Sequence, residues 1–440
     1  MNTAVMKKEF IHTNLGVNRE GHLTFAGVDT VELAEKYGTA LMVIDEARIR
    51  SNMRTYIDSM KKYFGEGSVP LFASKSLCFK ELYRIAAAEG MCTDIVSPGE
   101  LYLADSAAFP MSRAYFHGNN KTDDDIRFAL RCGIGYFIVD NADELSRLDE
   151  IAGIGGVRQK ILLRLTPGID PHTHAKISTG KVDSKFGVAI ETGQAEELVR
   201  YALTLKNVEL VGFHSHIGSQ IFDIDPFCDA ADILLAFIAK LSRDFGYVPE
   251  MLNLGGGFGV RYVASDPEID IADCIRRLAD EVRSKCSTLG IPMPKILLEP
   301  GRSIVADAGI TLYTVGSVKT ITGYKSYVSV DGGMTDNPRY ALYQSAYTVV
   351  CASHADRAAD FCCTVAGRCC ESGDLLQEDV MIARPERGDI LAVLVTGAYN
   401  YSMASNYNKI PRPAIVMVKD GVPRVVVHRE TFEHMASLDV

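Results

Sequence analysis

The sequence predicts an α/β protein, a (β/α)8 barrel of the TIM type with a second, mostly β domain. From residue 69 onward, eight short apolar runs alternate with amphipathic helical stretches, which is typical of parallel β/α units. After residue 308, β-rich runs separated by Gly, Asp and Pro turns replace that alternation. We therefore predict a barrel over residues 41–308 and a β-sandwich or barrel-like domain made of residues 1–40 and 309–440.

The eight apolar runs have the length of buried strands, and each is followed by polar or glycine residues. A helix over residues 79–90 is predicted after the first run, since Leu82, Ile85 and Ala86 recur at helical spacing and Gly90 stands where a helix stops. The runs, in order, are PLFAS (70–74), TDIVS (93–97), AYFHG (114–118), YFIVD (136–140), KILLRL (160–165), ELVGFHSHIG (209–218), MLNLGGG (251–257) and KILLEPG (295–301).

The predicted β domain has four long β-rich runs. They cover residues 310–321, 324–333, 389–399 and 414–429. The early segment GHLTFAG, at 21–27, also reads as a strand and could return to this domain before ALMVIDEA leads into the barrel.

Composition and charge exclude several classes of protein. A formal net charge of -10 without a long Lys/Arg run argues against a nucleic-acid partner. The apolar stretches are too short to cross a bilayer and the N-terminal residues lack a signal pattern, so we expect a cytoplasmic protein. Eleven scattered cysteines indicate reduced thiols, and without CxxC spacing the sequence predicts no metal site.

Ionisable residues and glycines collect at the carboxyl ends of the predicted strands, which is where a (β/α)8 barrel places its active site. His117 and Asp140, taken singly, read more readily as ordinary polar loop residues. The full set is Lys75, Asp94 to Ser97, His117, Asp140, Arg164, His216, Ser219, Gly255 to Gly257, Glu299 and Arg302.

Lys75 ends the first predicted strand, in VPLFASKSLCFKEL. A lysine that is partly desolvated and close to other cations has its neutral amine favoured, and a neutral amine can bond covalently to an aldehyde. Taken alone, Lys75 is better explained as a solvated residue at the start of a helix.

Three further motifs each leave two readings open. The glycines of LNLGGGFG can admit a phosphate to backbone N–H groups or make a tight turn. His214 and His216 lie on one side of a strand and could bind a metal or stack on a planar ring. Glu299 and Arg302, in LLEPGRS, suit a carboxylate facing a pyridine nitrogen or a structural ion pair.

Seven motifs occur in one order from about residue 10 to the end of the chain. They are FASKS, HSHIGSQ, LGGGFG, EPGR, VDGGMTDNPRYALY, CCESGD and GAYNYSMASNYNKIPRP. Together they resemble the fold type III pyridoxal-phosphate-dependent decarboxylases, and most closely those that convert meso-2,6-diaminopimelate to L-lysine and CO2. The resemblance implies a lyase of lysine biosynthesis that binds pyridoxal 5'-phosphate and forms a homodimer with shared active sites.

The resemblance also implies roles for residues at matching positions. The β domain would complete the active site and the dimer interface, with Cys370 and Glu371 reaching the neighbouring subunit's site. The implied catalytic residues are Lys75, Cys370 and His216. The implied cofactor contacts are Lys75, His216, Ser219, Gly256, Gly257, Glu299, Gly301, Arg302 and Tyr399. The implied substrate contacts are Arg302, Arg339, Tyr343, Glu371 and Tyr399.

Charge distinguishes the candidate substrates. Diaminopimelate carries an amino-acid group at each end, so its distal end suits the cations Arg339 and Arg302 and the acid Glu371. Ornithine, arginine or lysine would leave a guanidinium desolvated without a partner, which is costly. A decarboxylase of such basic amino acids is the nearest alternative, followed by a non-catalytic cofactor-binding regulator and a metal-dependent hydrolase using His214 and His216.

One motif departs from the family pattern. The chain reads VAGRCCESGD, with Arg368 and Cys369 leading into Cys370 and Glu371. The surroundings of the Cys370 thiol therefore cannot be taken from the resemblance.

Overall fold

A computed structural model describes residues 10–169 and 184–440 of the chain. Residues 1–9, which include part of the N-terminal stretch examined for a signal pattern, and residues 170–183 lie outside the described part. The chain divides into two compact units, which we describe separately. The barrel unit comprises residues 52–260 and 268–303, and the β unit comprises residues up to 51, 261–267 and 304–440.

The first elements of the chain are short strands and two helices. They are β1 (Leu15–Val17), β2 (Leu23–Phe25), β3 (Val28–Asp29), α1 (Thr30–Tyr37), β4 (Leu41–Asp45) and α2 (Glu46–Phe64). Strands β1, β2 and β3 form a separate antiparallel sheet. The predicted strand at 21–27 is therefore present as β2.

Eight strands of the described chain form the closed parallel barrel of the barrel unit. They are β5 (Val69–Ala73), β6 (Cys92–Ile95), β7 (Ala114–Phe116), β8 (Tyr136–Val139), β9 (Gln159–Thr166), β11 (Val208–His214), β12 (Met251–Asn253) and β13 (Lys295–Leu298). The ring closes because β13 pairs with β5 and β8 pairs with β9. Each predicted apolar run overlaps one of these strands, so the predicted barrel is confirmed.

Helices follow the barrel strands in the alternation that the sequence predicted. They are α3 (Lys80–Glu89), α4 (Pro98–Ser106), α5 (Asp123–Arg131), α6 (Ala142–Ile154), α7 (Gln194–Thr204), α8 (Asp225–Phe245), α9 (Ile271–Leu289) and α10 (Arg302–Val305), and the short strand β10 (Val188–Ala189) pairs with β9.

Local sequence explains where several of these helices begin and end. Thr122 and Asp125 form a capping box at the start of α5. Ser97 accepts the Glu100 N–H and precedes Pro98 at the first turn of α4. Gly90 ends α3 with a φ of 84°.

The barrel has a buried apolar core. One residue from each of seven strands packs into a single cluster, as the interior of a small closed barrel requires. Its members are Leu71, Cys92, Tyr115, Ile138, Leu162, Val211 and Leu297. Filling this interior with side chains leaves the strand ends for polar residues.

The later elements of the β unit are mostly strands. They are β14 (Gly309–Ile321), β15 (Lys325–Val330), α11 (Arg339–Tyr343), β16 (Val349–Cys351), β17 (Phe361–Ala366), β18 (Leu375–Ile382), β19 (Ile390–Val393), β20 (Ala414–Lys419), β21 (Val422–Val427) and α12 (Phe432–Ala436). The strands form one mixed sheet in the order β18-β17-β15-β14-β4-β20-β21, and β19 pairs with β14 and β16.

The unit boundary differs from the prediction at residues 41–51. The sequence analysis assigned this stretch to the barrel, but β4 pairs with β14 and β20 and therefore belongs to the β sheet. An apolar run of five residues fits a sheet strand and a barrel strand equally well, and only its pairing partners distinguish them.

Two further features bear on the sequence expectations. All eleven cysteines are free thiols. Among residues 10–169 and 184–440, no helix is both long enough and apolar enough to cross a bilayer.

Candidate active site

Lys75 lies in a single 3-10 turn, Ser74–Ser76, directly after β5. The preceding residue is held on two sides: the Ser74 N–H donates to Asp94 Oδ1 at 2.8 Å, and Ser74 Oγ lies 2.9 Å from Glu100 Oε2. Burial raises the pKa of Asp94 well above its usual range, against the opposing charge of Lys75. The turn therefore fixes a lysine at the mouth of the barrel beside two buried carboxyl groups.

Glu299, at the end of the eighth barrel strand, is the centre of a buried polar cluster and is only 6% exposed. His117 Nε2 lies 3.0 Å from its Oε1, and His214 Nε2 lies 3.2 Å from its Oε2. Asn253 Nδ2 also donates to Oε1, at 2.7 Å. Two strand ends thus supply hydrogen-bond donors to one carboxylate, and a third places the His117 imidazole in close contact with it.

The proton positions in this cluster follow from its geometry and burial. Burial alone would raise the pKa of Glu299, but His117 and His214 outweigh it and hold the pKa well below the usual range. Burial lowers the pKa of His117, and it lowers that of His214 to about 4. Glu299 is therefore an anion facing two neutral imidazoles, and His214 carries its proton on Nε2 because an ionised carboxylate only accepts.

His216 is separate from this cluster and is oriented by a glycine. The Gly256 N–H donates to His216 Nδ1 at 3.3 Å. Burial lowers the pKa of His216 well below its usual range, and the positive charges of Lys75 and Arg164 add to this effect. His216 is thus a neutral imidazole, which suits packing against a planar ring.

The glycines after β12 are required by close packing. A Cβ on Gly256 would lie 2.0 Å from the backbone oxygen of Glu299, and one on Gly257 would lie 2.2 Å from that of Gly218. The glycines bring the end of β12 against its neighbouring strand ends, so the tight-turn and ligand-cradle readings of LGGGFG are compatible.

Ser219 and Arg302 meet at the same end of the barrel. The Arg302 side chain, 4% exposed, donates to Ser219 Oγ at 2.9 Å through one terminal nitrogen. Gly301 precedes it where a Cβ would lie 2.8 Å from the Ala73 Cβ. A guanidinium and a hydroxyl are therefore held together next to the strand that precedes Lys75.

Sequence reasoning underestimated part of this site. It treated His117 as an ordinary loop residue and gave no role to Asn253 or Glu100. Their one signal in the sequence was position, since each lies at or just beyond a predicted strand end. Arg164, named without a role, is 9% exposed and its Cζ lies 4.3 Å from the centre of the Phe186 ring.

The metal reading of His214 and His216 is not supported by their neighbours. Within the described part of the chain, the grouping with ligand atoms close enough to hold an ion is His117, His214 and Glu299, whose atoms lie within 4.8 Å of one another. The hydrogen bond from His214 and the close contact of His117 with the Glu299 carboxylate account for this approach.

The β unit holds the other predicted residues in two places. Arg339, 7% exposed, has its Cζ 5.2 Å from the Tyr343 ring centre and 5.7 Å from that of Tyr399. One terminal nitrogen of Arg339 lies 3.2 Å from Ser345 Oγ, whereas its buried Nε has no hydrogen-bond partner among the described residues. A buried guanidinium with an unused donor suits an anionic ligand.

Cys370 and Glu371 lie in the turn between β17 and β18, and both are exposed. The Cys370 N–H donates to Asn408 Oδ1 at 2.7 Å. Arg368, the first residue at which the chain departs from the family motif, donates its N–H to Gly332 O at 2.9 Å. Its backbone is therefore held by a hydrogen bond to the loop after β15.

The barrel residues fit a pyridoxal group. A carboxylate offers about four acceptor positions, and hydrogen bonds from His214 and Asn253 fill two of those on Glu299. A remaining position suits an N–H such as that of a protonated pyridine ring, while Lys75 offers an amine to an aldehyde. A (β/α)8 barrel with this lysine and this carboxylate at its strand ends defines the class of pyridoxal-dependent barrel enzymes.

Comparison with known proteins gives the family. The family model described as "Pyridoxal-dependent decarboxylase, pyridoxal binding domain" matches residues 47–306. The chain is 44% identical to diaminopimelate decarboxylase of Bacillus subtilis, covering 98% of each chain. It is 45% identical to that of Bacillus methanolicus, over 96% of this chain and 97% of the relative.

A solved structure agrees with these relatives. Diaminopimelate decarboxylase of M. jannaschii in co-complex with L-lysine superposes with a TM-score of 0.89 at 34% identity, over 97% of this chain and 98% of that one. The chain therefore belongs to the diaminopimelate decarboxylase family of pyridoxal-dependent decarboxylases.

Proposed function

We propose that the chain decarboxylates meso-2,6-diaminopimelate to L-lysine and CO2, as a carboxy-lyase of lysine biosynthesis that uses pyridoxal 5'-phosphate. The observation that carries the choice of substrate is Arg339, a buried guanidinium whose Nε–H has no partner among the described residues. A distal carboxylate satisfies that donor. The names of the full-length relatives support the same substrate.

The barrel residues would hold and tune the cofactor. When bound, pyridoxal phosphate supplies an electron-withdrawing ring that accepts the electrons of the bond to the departing carboxylate. Lys75 would hold its aldehyde covalently and Glu299 would accept the ring N–H, so that the ring stays protonated. His216 would pack on the ring face. Contacts to the rest of the cofactor would come from Ser219, Gly256, Gly257, Gly301, Arg302 and Tyr399.

The substrate would be held by charge at both ends. Arg302 and Arg339 would pair with carboxylates, and Glu371 would pair with the distal ammonium. Tyr343 and Tyr399 would contact the substrate beside the Arg339 guanidinium, whose distances to both rings are already short. A basic amino acid without a distal carboxylate would leave Arg339 buried beside no anion, which disfavours the ornithine, arginine or lysine alternative.

Cys370 would donate the proton that replaces the lost carboxylate, since its thiol lies in an exposed turn and thiols are competent acids near neutral pH. We further propose that the working form is a cytoplasmic homodimer in which Cys370 and Glu371 serve the neighbouring subunit's site. The β unit would thereby complete the active site.

The test is incubation of the purified protein with meso-diaminopimelate and pyridoxal phosphate, followed by product identification. L-lysine and CO2 in equal amounts are expected. Borohydride reduction and peptide mass spectrometry should place the cofactor on Lys75, and it should be absent in Lys75→Ala but present in the matched variant Lys80→Ala. Absence of CO2 release, or a label on another lysine, would overturn the proposal.

A further inference from the structure

Two loops of the β unit that carry proposed active-site residues leave the same edge of the sheet. Strands β15 and β17 pair in parallel, with Tyr327 opposite Thr364 and Ser329 opposite Ala366. The loop after β15, residues 331–338, leads into Arg339, and the loop after β17, residues 367–374, contains Cys370 and Glu371. Parallel pairing therefore places the starts of both loops side by side.

Asp374 joins these two loops through its carboxylate. The side chain is 3% exposed. Its Oδ1 accepts the Met334 N–H of the first loop at 2.6 Å, and its Oδ2 accepts the Cys369 N–H of the second loop at 2.7 Å. Each oxygen thus accepts a short hydrogen bond from one loop.

Glycines on both loops make this approach possible. A Cβ on Gly333 would lie 2.4 Å from Asp374 Oδ1, and a Cβ on Gly367 would lie 2.2 Å from Oδ2. The carboxylate is therefore enclosed by backbone from two sides. An N–H left unpaired in this enclosure would carry the free-energy cost of a buried unsatisfied donor.

In the first loop, the residues between Met334 and Arg339 are held together by hydrogen bonds. Asp336 and Asn337 both donate their N–H to Gly333 O, at 3.1 and 2.8 Å. Asp336 Oδ1 accepts the Gly333 N–H at 3.0 Å, and Tyr313 donates to Oδ2. The loop is closed on itself, so fixing Met334 fixes the start of α11.

In the second loop, the residue held by Asp374 is next to the proposed proton donor. Cys370 is the next residue, and the Asp374 N–H donates to Glu371 O at 3.1 Å. Burial and the Asp374 charge raise the pKa of Cys369 to about 12, so this lead-in thiol stays protonated.

From these contacts we infer that Asp374 is a positioning residue that sets Arg339 and the Cys370–Glu371 turn together. The inference rests on the proposed function, which assigns Arg339 to a subunit's own active site and Cys370 with Glu371 to its neighbour's. One carboxylate would then couple the substrate contact of one active site to the proton donor of the other in the same dimer.

Hybrid dimers separate the two effects. Differently tagged subunits are co-expressed so that each dimer has one working site, and the reference pairs Lys75→Ala with wild type. In the first hybrid, a Lys75→Ala subunit is paired with an Asp374→Ala subunit. The working site then takes Lys75 and Arg339 from the Asp374→Ala subunit. In the second hybrid, the doubly substituted Lys75→Ala, Asp374→Ala subunit is paired with wild type.

The expected results differ by hybrid. In the first, KM for meso-diaminopimelate rises about tenfold while kcat stays near the reference, because a hydrogen bond to a charged group fixing Arg339 is lost. In the second, kcat falls about tenfold because the turn that carries the proton donor is loosened, and KM also rises because the same turn carries Glu371, the proposed contact of the distal ammonium. The exposed Asp360, changed to alanine in place of Asp374, should alter neither constant.

Two results would overturn the inference. Constants within twofold of the reference in both hybrids would show that Asp374 positions neither loop. Changes in both constants in the first hybrid, with none in the second, would show that one subunit's loops serve one site. If Asp374→Ala fails to fold, Asp374→Asn keeps one acceptor oxygen and must still move at least one constant. A reference hybrid that binds cofactor but releases no CO2 would instead refute the proposed function.

Discussion

His117 Nε2 lies 3.0 Å from Oε1 of Glu299, although the two residues are 182 positions apart in the sequence and both are buried. The contact joins the third and eighth strands of the barrel at their carboxyl ends. Burial lowers the pKa of this imidazole, so it lies beside the anionic carboxylate as a neutral group. The carboxylate accepts its hydrogen bonds from His214 and Asn253, which are neutral as well.

Removal of His117 should weaken that anion. We expect His117→Phe to lower kcat/KM by about 10- to 100-fold, since a buried carboxylate that loses a polar neighbour bears a desolvation cost of about 1–3 kcal/mol. Because removal of a neighbour that lowers the pKa of Glu299 should raise that pKa, the absorption spectrum of the bound cofactor should become pH-dependent at a higher pH than in the wild type. The exposed His434, changed to phenylalanine, is the control. An unchanged spectrum and unchanged kinetics in His117→Phe would contradict the role.

Gly256 should not tolerate a side chain. Gly256→Ala would place a Cβ 2.0 Å from Glu299 O and displace that strand end, so cofactor affinity should fall at least about tenfold, by analogy with overpacking costs of 1–3 kcal/mol. Titration with pyridoxal phosphate measures the effect. Gly99→Ala, at a site where the nearest atom is 3.8 Å away, should bind as the wild type does. Equal affinities in the two variants would refute the packing argument.

Arg339 should determine substrate choice. Arg339→Gln is expected to reduce kcat/KM for meso-diaminopimelate by about 30-fold or more, since removing one partner of a buried charged pair costs 2–5 kcal/mol. Turnover of L-ornithine or L-lysine, which lack the distal carboxylate, should not fall in parallel. Arg158→Gln, at an exposed position, is the control. A parallel loss for all substrates would argue against a specificity role.

Shared active sites predict complementation between inactive variants. Lys75→Ala and Glu371→Ala should each be nearly inactive alone. Random mixing of subunits makes half of the dimers hybrid with one intact site each, so activity should recover to about a quarter of the wild-type value. Mass spectrometry of the intact dimers verifies exchange. Verified hybrids without recovered activity would refute the shared site.

His214 should make folding stability depend on pH. Its pKa falls from 6.5 to about 4 on folding because burial disfavours the imidazolium. A lowered histidine pKa means that the unfolded chain binds the proton first, so the contribution is fully present above pH 6.5 and is lost as pH falls toward 4. As the pH falls from 6.5 to 4, the free energy of unfolding of the wild type should drop by up to roughly 3 kcal/mol more than that of His214→Asn. Urea unfolding at pH 7.5 and 4.5 measures the difference in free energy of unfolding between the two proteins. A difference that is the same at both pH values would contradict the prediction.

The sequence by itself determined the barrel, because eight apolar runs separated by amphipathic stretches have few other ways to be buried. It also located Lys75, Glu299 and the glycines after β12, since strand ends and glycines are visible in the local pattern. The roles of His117 and Asn253, the placement of β4 in the β sheet, and the bridge made by Asp374 were decided by the tertiary structure. Each depends on which distant strand ends become neighbours, and ring closure and strand pairing set those neighbours in a way that local patterns do not encode.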